Sequence, residues 1–246
     1  MAGLALVTGG SGGIGSAICR RLADDGFTVV VGYNSAADRA EALADGLSGD
    51  GHFALQVPVT DSAGLASAAA QVAGRHPALD VLVNCAGVTR PVAHDDLDGL
   101  DDDTFDWILQ TNVRGPFATV RAFRSLLEAA AAPVVVNISS VAAVTGQGSN
   151  VAYCASKAGV DSLTRSLARA LGPKIRMVSV SPGWVLGEYA ERMDPAMLAT
   201  QRAETPLDRL ATPADVGAAV RAAVLDLPFT TGAIISVDGG RPLGAA

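Results

Sequence analysis

A tyrosine and a lysine four residues apart are the chain's clearest chemical signal. Tyr153 and Lys157 lie in YCASKAGVDSLTRSLA, a run predicted to be helical, so both side chains leave one face. A phenol titrates too high to act as a base at neutral pH unless a nearby cation favours its anion, and a lysine one turn away is such a cation. Ser140 ends the preceding apolar run, thirteen residues before Tyr153. Open α/β sheets place their ligand crevice at that end of a strand. A serine hydroxyl there can bond the same carbonyl oxygen that the phenol protonates. The trio suits proton transfer to a carbonyl, or from an alcohol. As an isolated pair, Tyr and Lys at this spacing would usually be a surface coincidence.

The second signal is TGGSGGIG, residues 8–15, straight after an apolar run and straight before a helical one. Backbone N–H groups at a helix start can cradle a pyrophosphate, and glycines let the backbone come close to it. Three templates fit the loop. Gly10, Gly12 and Gly15 make GxGxxG; Gly9, Gly12 and Gly15 make GxxGxxG; Gly9, Gly13 and Gly15 make GxxxGxG. The second apolar run ends in Gly32-Tyr33-Asn34-Ser35, with no carboxylate before Asp38. A carboxylate there would repel a ribose 2′-phosphate, so its absence leans toward NADP(H), with Asn34 and Ser35 as phosphate donors and NAD(H) as the alternative.

These residues need a scaffold, and the pattern supplies one. Short apolar runs at 3–8, 28–32, 53–57, 79–84, 133–139, 175–181 and 233–237 alternate with Ala- and Leu-rich stretches near 14–25, 37–48, 62–74, 103–130, 152–171 and 213–226. Continuous apolar runs between helices are the sequence form of a parallel sheet covered on both faces. Seven strands without a composition break predict one doubly wound α/β domain over 1–246. Residues 184–211 form a longer, more polar connection containing Met193, Pro195 and Met197, which suggests a substrate lid.

Composition narrows the function. The net charge of −7 is the wrong sign for a nucleic-acid partner. No apolar run is long enough to span a membrane, and the start of the chain lacks the features of a signal peptide. Three cysteines at unrelated spacings suggest neither a disulfide framework nor a metal site, so a reduced, cytoplasmic protein without metal is expected. Seven aspartates crowd Asp95 to Asp106; Asp101, Asp102 and Asp103 precede a helical run and suit its positive end. The histidines His52, His76 and His94 share no spacing and read as surface residues. Packing is the default reading for Cys154, and Ser139 reads as structural.

With these motifs in hand, the chain resembles the short-chain dehydrogenase/reductase superfamily in its classical branch, from Thr8 to the VDGG at 237–240. TGGSGGIG is similar to the family's TGxxxGxG cofactor loop, which selects Gly9, Gly13 and Gly15, with Ser11 and Ile14 as further contacts. NCAG at 84–87 is similar to NNAG and points to Asn84, Ala86 and Gly87. Asn112, in QTNV, matches the asparagine that holds a water and the lysine in a proton relay. Ser140, Tyr153 and Lys157 match the Ser–Tyr–Lys set. Pro182-Gly183 matches the PG that approaches the nicotinamide, with Val185 at its carboxamide and Val59 at the adenine through its backbone.

The resemblance implies a single Rossmann domain with strand order 3-2-1-4-5-6-7. It also implies a role for Lys157 on the nicotinamide ribose, and a homotetramer or dimer built on the long helices. Three departures stand out: Cys85 replaces the second Asn of NNAG, Pro58 an Asp or Asn, and Gly187 a frequent Thr. The expected activity is hydride transfer between NADP(H) and a small ketone or secondary alcohol. The general form resembles the 3-oxoacyl-[acyl-carrier-protein] reductases, so an acyl carrier protein is the alternative partner. A non-catalytic cofactor sensor is disfavoured because all four polar residues are kept. Acidic carriers call for basic residues at the mouth. The stretch Leu126 to Pro133 offers only Glu128, whereas Lys174, Arg121, Arg124 and Arg192 keep the carrier alternative open.

Overall fold

The seven apolar runs are seven parallel strands in a computed structural model that describes residues 3–187, 190 and 194–243. They are β1 (Leu4–Thr8), β2 (Thr28–Tyr33), β3 (Phe53–Gln56), β4 (Val81–Asn84), β5 (Val134–Ile138), β6 (Arg176–Pro182) and β7 (Ile234–Val237). They lie in the order β3-β2-β1-β4-β5-β6-β7. Successive side chains of a strand point to opposite faces. In β1, Ala5 and Val7 join a core with Ile18, Leu22, Val216 and Val220, while Leu4 and Leu6 join another with Leu65, Val72, Phe123 and Leu127. Both faces are therefore apolar, which is why these strands read as unbroken hydrophobic runs.

The helices are α1 (Gly13–Asp24), α2 (Ala37–Asp45), α3 (Ser62–Ala73), α4 (Asp102–Leu109), α5 (Gly115–Ala129), α6 (Ala142–Thr145), α7 (Val151–Leu171), α8 (Pro195–Ala203) and α9 (Pro213–Arg221). The expected helix at 103–130 is interrupted by a π-helical turn, Gln110–Arg114, and α9 continues into a second one, Ala222–Asp226. The Asp101 side chain accepts from the Thr104 backbone N–H at 2.8 Å, so the acidic run does start a helix. Two helices lie inside stretches expected to be connections. One is α6; the other, α8, falls within 184–211, whose base is closed by a parallel bridge between Val185 and Ala211. Arg192 and Met193 lie outside the described residues. Among the described residues no helix is long and apolar enough to cross a membrane.

The register brings polar residues into one row near the C-terminal ends of the central strands. Thr8 pairs with Asn84, Asn84 with Asn137, and Asn137 with Ser179. Asn84 Nδ2 donates to Asn137 Oδ1 at 2.8 Å, and Asn137 Nδ2 donates to Thr164 Oγ1 of α7 at 2.8 Å. Thr164 and Ser179 share a hydrogen bond at 2.7 Å. These side chains are almost fully buried, and the chain of bonds ties β4, β5, β6 and α7 together.

Candidate active site

The glycine loop turns from β1 into α1 under tight contact. Gly9 has φ +63°, and a Cβ there would sit 3.0 Å from the Ala86 Cα. A Cβ on Gly15 would fall 2.2 Å from the Gly9 carbonyl oxygen, closer than atoms can approach. Gly13 is the opposite case, with no atom within 4 Å of its missing side chain. Gly12 precedes α1 without a side-chain cap, which leaves the first N–H groups of the helix for a ligand. Gly10 is crowded as well, 3.0 Å from the Val7 carbonyl, so the fold compresses Gly9, Gly10 and Gly15 and leaves Gly13 fronting open space, an arrangement compatible with the GxxxGxG template. Ser11 lies in the same turn and Ile14 in the first turn of α1.

The Thr8 hydroxyl accepts from the backbone N–H groups of Cys85 and Ala86, both at 3.1 Å, which holds NCAG beside the loop. Burial pushes the Cys85 thiol up to about 11, against the pull of the nearby Lys157 charge. Cys154 is buried, and its sulfur packs near Gly148.

Asn112 sits in the π-helical turn, a distortion that recurs at functional sites. Its Oδ1 accepts from the Val88 N–H at 2.8 Å, and its Nδ2 donates to the Val88 carbonyl at 2.9 Å and to Ser156 Oγ at 3.1 Å. Lys157 is buried; its Nζ donates to the Ile138 carbonyl at 2.9 Å and lies 5.6 Å from the centre of the Tyr153 ring. The Gly87 side-chain position lies 3.4 Å from Asn112 Oδ1 and 3.7 Å from Lys157 Nζ, so all three converge. Ser140 follows β5 and accepts from the Ala142 N–H at 3.2 Å, while Ser139 donates to the Lys157 carbonyl at 3.4 Å. The Val141 N–H donates to the Pro182 carbonyl at 2.9 Å, and Gly183 N–H to Val237, which brings the PG turn beside Ser140.

Asn34 and Ser35 lie exposed past the end of β2. Val59 packs against Gly115, at the start of α5. Val185 forms the bridge that closes the base of 184–211.

Sequence reasoning missed Arg39. This residue of α2 reaches across the glycine loop, and its guanidinium donates to the Ser11 carbonyl at 2.8 Å. In sequence, position 39 lies several residues past the end of β2, whereas the turn into α2 brings it back over the loop. Asn150 was also missed, although an Asn just before a helical run is a readable cap signal. The histidines do more than lie on the surface. His52 accepts from the Val29 N–H at 3.0 Å, and His94 Nε2 bonds the Gly148 carbonyl at 3.0 Å.

Known proteins share this architecture. The family described as Enoyl-(Acyl carrier protein) reductase matches residues 9–241. The chain belongs to that family, within the short-chain dehydrogenases/reductases. It is therefore an NAD(P)-dependent oxidoreductase acting on an alcohol–carbonyl pair. It is 31% identical to the 3-oxoacyl-[acyl-carrier-protein] reductase FabG of Staphylococcus aureus, over 96% of each chain. It is 35% identical to the cis-4-hydroxycyclohexanecarboxylate dehydrogenase of Sinomonas cyclohexanicum, over 96% of this chain and 95% of the relative. A crystal structure of "a putative short-chain dehydrogenase/reductase" from Burkholderia xenovorans superposes with a TM-score of 0.89 at 32% identity, covering 99% of both chains.

Proposed function

We propose that this short-chain dehydrogenase/reductase interconverts a small, carrier-free ketone and its secondary alcohol, with NADP(H) preferred over NAD(H) and Tyr153 as the acid–base group. The observation that carries the proposal is the buried Lys157 ammonium, fixed by the Ile138 carbonyl near the Tyr153 ring and beside Gly87 and Asn112. Bound nicotinamide supplies or accepts the hydride. Tyr153 gives a proton to the carbonyl oxygen, or takes it from the alcohol, while the Ser140 hydroxyl bonds the same oxygen. Lys157 favours the phenolate and holds the nicotinamide ribose, and Asn112 orders the relay behind it.

The open space at Gly13 and the uncapped start of α1 suit the pyrophosphate. Pro182, Gly183 and Val185 would face the nicotinamide; Asn84, Ala86 and Gly87 would support the cofactor from below, and the Val59 backbone would meet the adenine. Arg39, which reaches the glycine loop, and the exposed Asn34 and Ser35 past β2 would be donors for a 2′-phosphate, which supports the NADP(H) preference. Residues 184–211 would cover the substrate. Exposed Phe117, in an apolar groove lined also by Leu109, Val113 and Leu163, and exposed Trp107 of α4 support a dimer or tetramer through the long helices.

Two observations favour a carrier-free substrate. Basic groups on α5 are engaged locally: Arg124 pairs with Glu128 at 2.7 Å, and Arg121 donates to Ser62. The acidic run also begins beside the site, because His94 bonds the Gly148 carbonyl and the Gly148 side-chain position lies 3.1 Å from the Tyr153 ring. An acidic carrier would meet repulsion there. Similarity to FabG favours the second reading, reduction of a carrier-bound 3-oxoacyl group; Lys174 is the basic position it would draw on, though its ammonium too is engaged, by the Ala130 carbonyl after α5.

Both cofactors should be assayed with a panel of ketones, for the wild type and for Arg39→Gln. The wild type should favour NADPH by tenfold or more in kcat/KM. The variant should lose roughly tenfold with NADPH alone, since a charge-assisted hydrogen bond to an exposed phosphate is worth about 1.5 kcal/mol. Equal use of NADH, or equal loss with both cofactors, would refute the preference. A large, salt-sensitive advantage for a 3-oxoacyl chain on its carrier over a short thiol mimic would establish the second reading.

A further inference from the structure

We infer that Asn150 is a positioning residue for Tyr153, clasping the first turn of α7 to the loop 88–94; the inference rests on the acid–base role proposed for Tyr153. Asn150 is the cap of α7 and is 1% exposed. Its Oδ1 accepts from the Tyr153 backbone N–H at 2.7 Å. Its Nδ2 donates to the Arg90 carbonyl at 2.7 Å and, at 3.4 Å, to Thr89 Oγ1. One amide thus uses its acceptor on the helix and its donors on the loop.

Tyr153 is the third residue of its helix, so its side chain is only as well placed as a turn that lacks intrahelical partners for its N–H groups. The loop needs the same tie. At its start, Val88 is held by Asn112 through two hydrogen bonds. Further along, the Val92 N–H donates to the Ser149 carbonyl at 2.9 Å, Thr89 and Ser149 join hydroxyls, and His94 reaches Gly148. The loop therefore spans from the asparagine next to Lys157 to the cap of the helix that carries Tyr153. Asn150 locks the phenol to that frame. Ser, Thr and Asp can cap a helix, but a short hydroxyl lacks the reach of the amide and a carboxylate has no donor for Arg90. Capping and clasping are thus separable.

The test compares wild type, Asn150→Ser, Asn150→Ala and Thr89→Val by melting temperature, steady-state kinetics with NADPH and a ketone that the wild type reduces, and amide hydrogen exchange of segments 86–96 and 150–156. Asn150→Ser should keep most of the thermal stability and exchange slowly at 150–156, yet exchange faster at 86–96. Its kcat should fall roughly tenfold or more, as expected for a misplaced catalytic group, with KM for NADPH within about twofold. Asn150→Ala should lose stability as well. Thr89→Val, which leaves the cap intact, should lower kcat in the same direction and keeps the test valid if the Asn150 variants fold poorly. A Ser variant with wild-type kcat, unchanged exchange at 86–96, or kcat and KM changing together would overturn the inference. A wild type that reduces no ketone would refute the proposed function instead, and the exchange data would still decide whether the clasp exists.

Discussion

Replacing Asn137 with Ala should be among the most damaging single changes in this fold, although Asn137 touches no reacting group. Its amide is the central link between strands: Oδ1 accepts from Asn84 and Nδ2 donates to Thr164. Asn84 Oδ1 already lacks a hydrogen-bond partner, so losing Asn137 would leave its whole buried amide unpaired. An orphaned buried donor costs about 1–3 kcal/mol, and the lost bond to Thr164 about 1 kcal/mol more. The Thr164 hydroxyl keeps Ser179 and the Val160 carbonyl as partners and adds little to the loss. A total of roughly 2–4 kcal/mol corresponds to a fall in Tm of roughly 4–16 °C for a chain of this size. Urea unfolding at one fixed protomer concentration would measure it, with the slope unchanged. The double variant Asn84→Ala/Asn137→Ala should cost less than the sum of the single changes, because the second removes the group the first had stranded. A loss under about 1 kcal/mol, or strict additivity, would refute this account of the buried row.

Three further outcomes follow from the site and its supports. Gly13→Ala should leave stability equal or slightly raised, since its Cβ meets nothing, yet weaken NADPH binding measured by fluorescence titration; Gly15→Ala should destabilise the fold, because its Cβ meets the Gly9 carbonyl. Tyr153→Phe should lower kcat by about 10²-fold or more with NADPH affinity kept, and a variant retaining a tenth of the rate would exclude Tyr153 as the acid. Asp215→Asn should destabilise by on the order of 1 kcal/mol, as for a lost helix cap, with a pH signature that melting curves reveal. The Arg209 guanidinium, at 2.7 and 2.9 Å, and the Thr212 cap hold the Asp215 carboxyl well below the usual carboxylate range. With the folded value depressed, this stabilisation is complete above the unfolded value of about 4 and shrinks as pH falls below it. A wild-type advantage that persisted unchanged at lower pH would contradict the assignment.

Much of this architecture is local and therefore legible in the residues. Each strand, buried on both faces, announces itself as an apolar run, and strict β–α alternation leaves few sheet orders, so all seven strands stand within a residue or two of their expected places. Tyr153 and Lys157 share a helix face because 3.6 residues make a turn, and no tertiary information is needed to see it.

Other features depended on what the fold brings together. The π-helical turn that sets Asn112 against Val88 was only partly legible: Gly115-Pro116 at its end marks a break, since Pro116 has no N–H for the carbonyl of residue 112, but not the form the break takes. Arg39 lies 28 residues from Ser11 in the chain and meets it only when α2 folds back over the glycine loop. Which glycines of the loop could carry a side chain is likewise a matter of distance and not of order: neighbouring atoms crowd Gly9, Gly10 and Gly15 and leave Gly13 open. The Asn84–Asn137–Thr164–Ser179 row spans four elements joined by parallel register, and polar residues so far apart in sequence become one network only through the sheet.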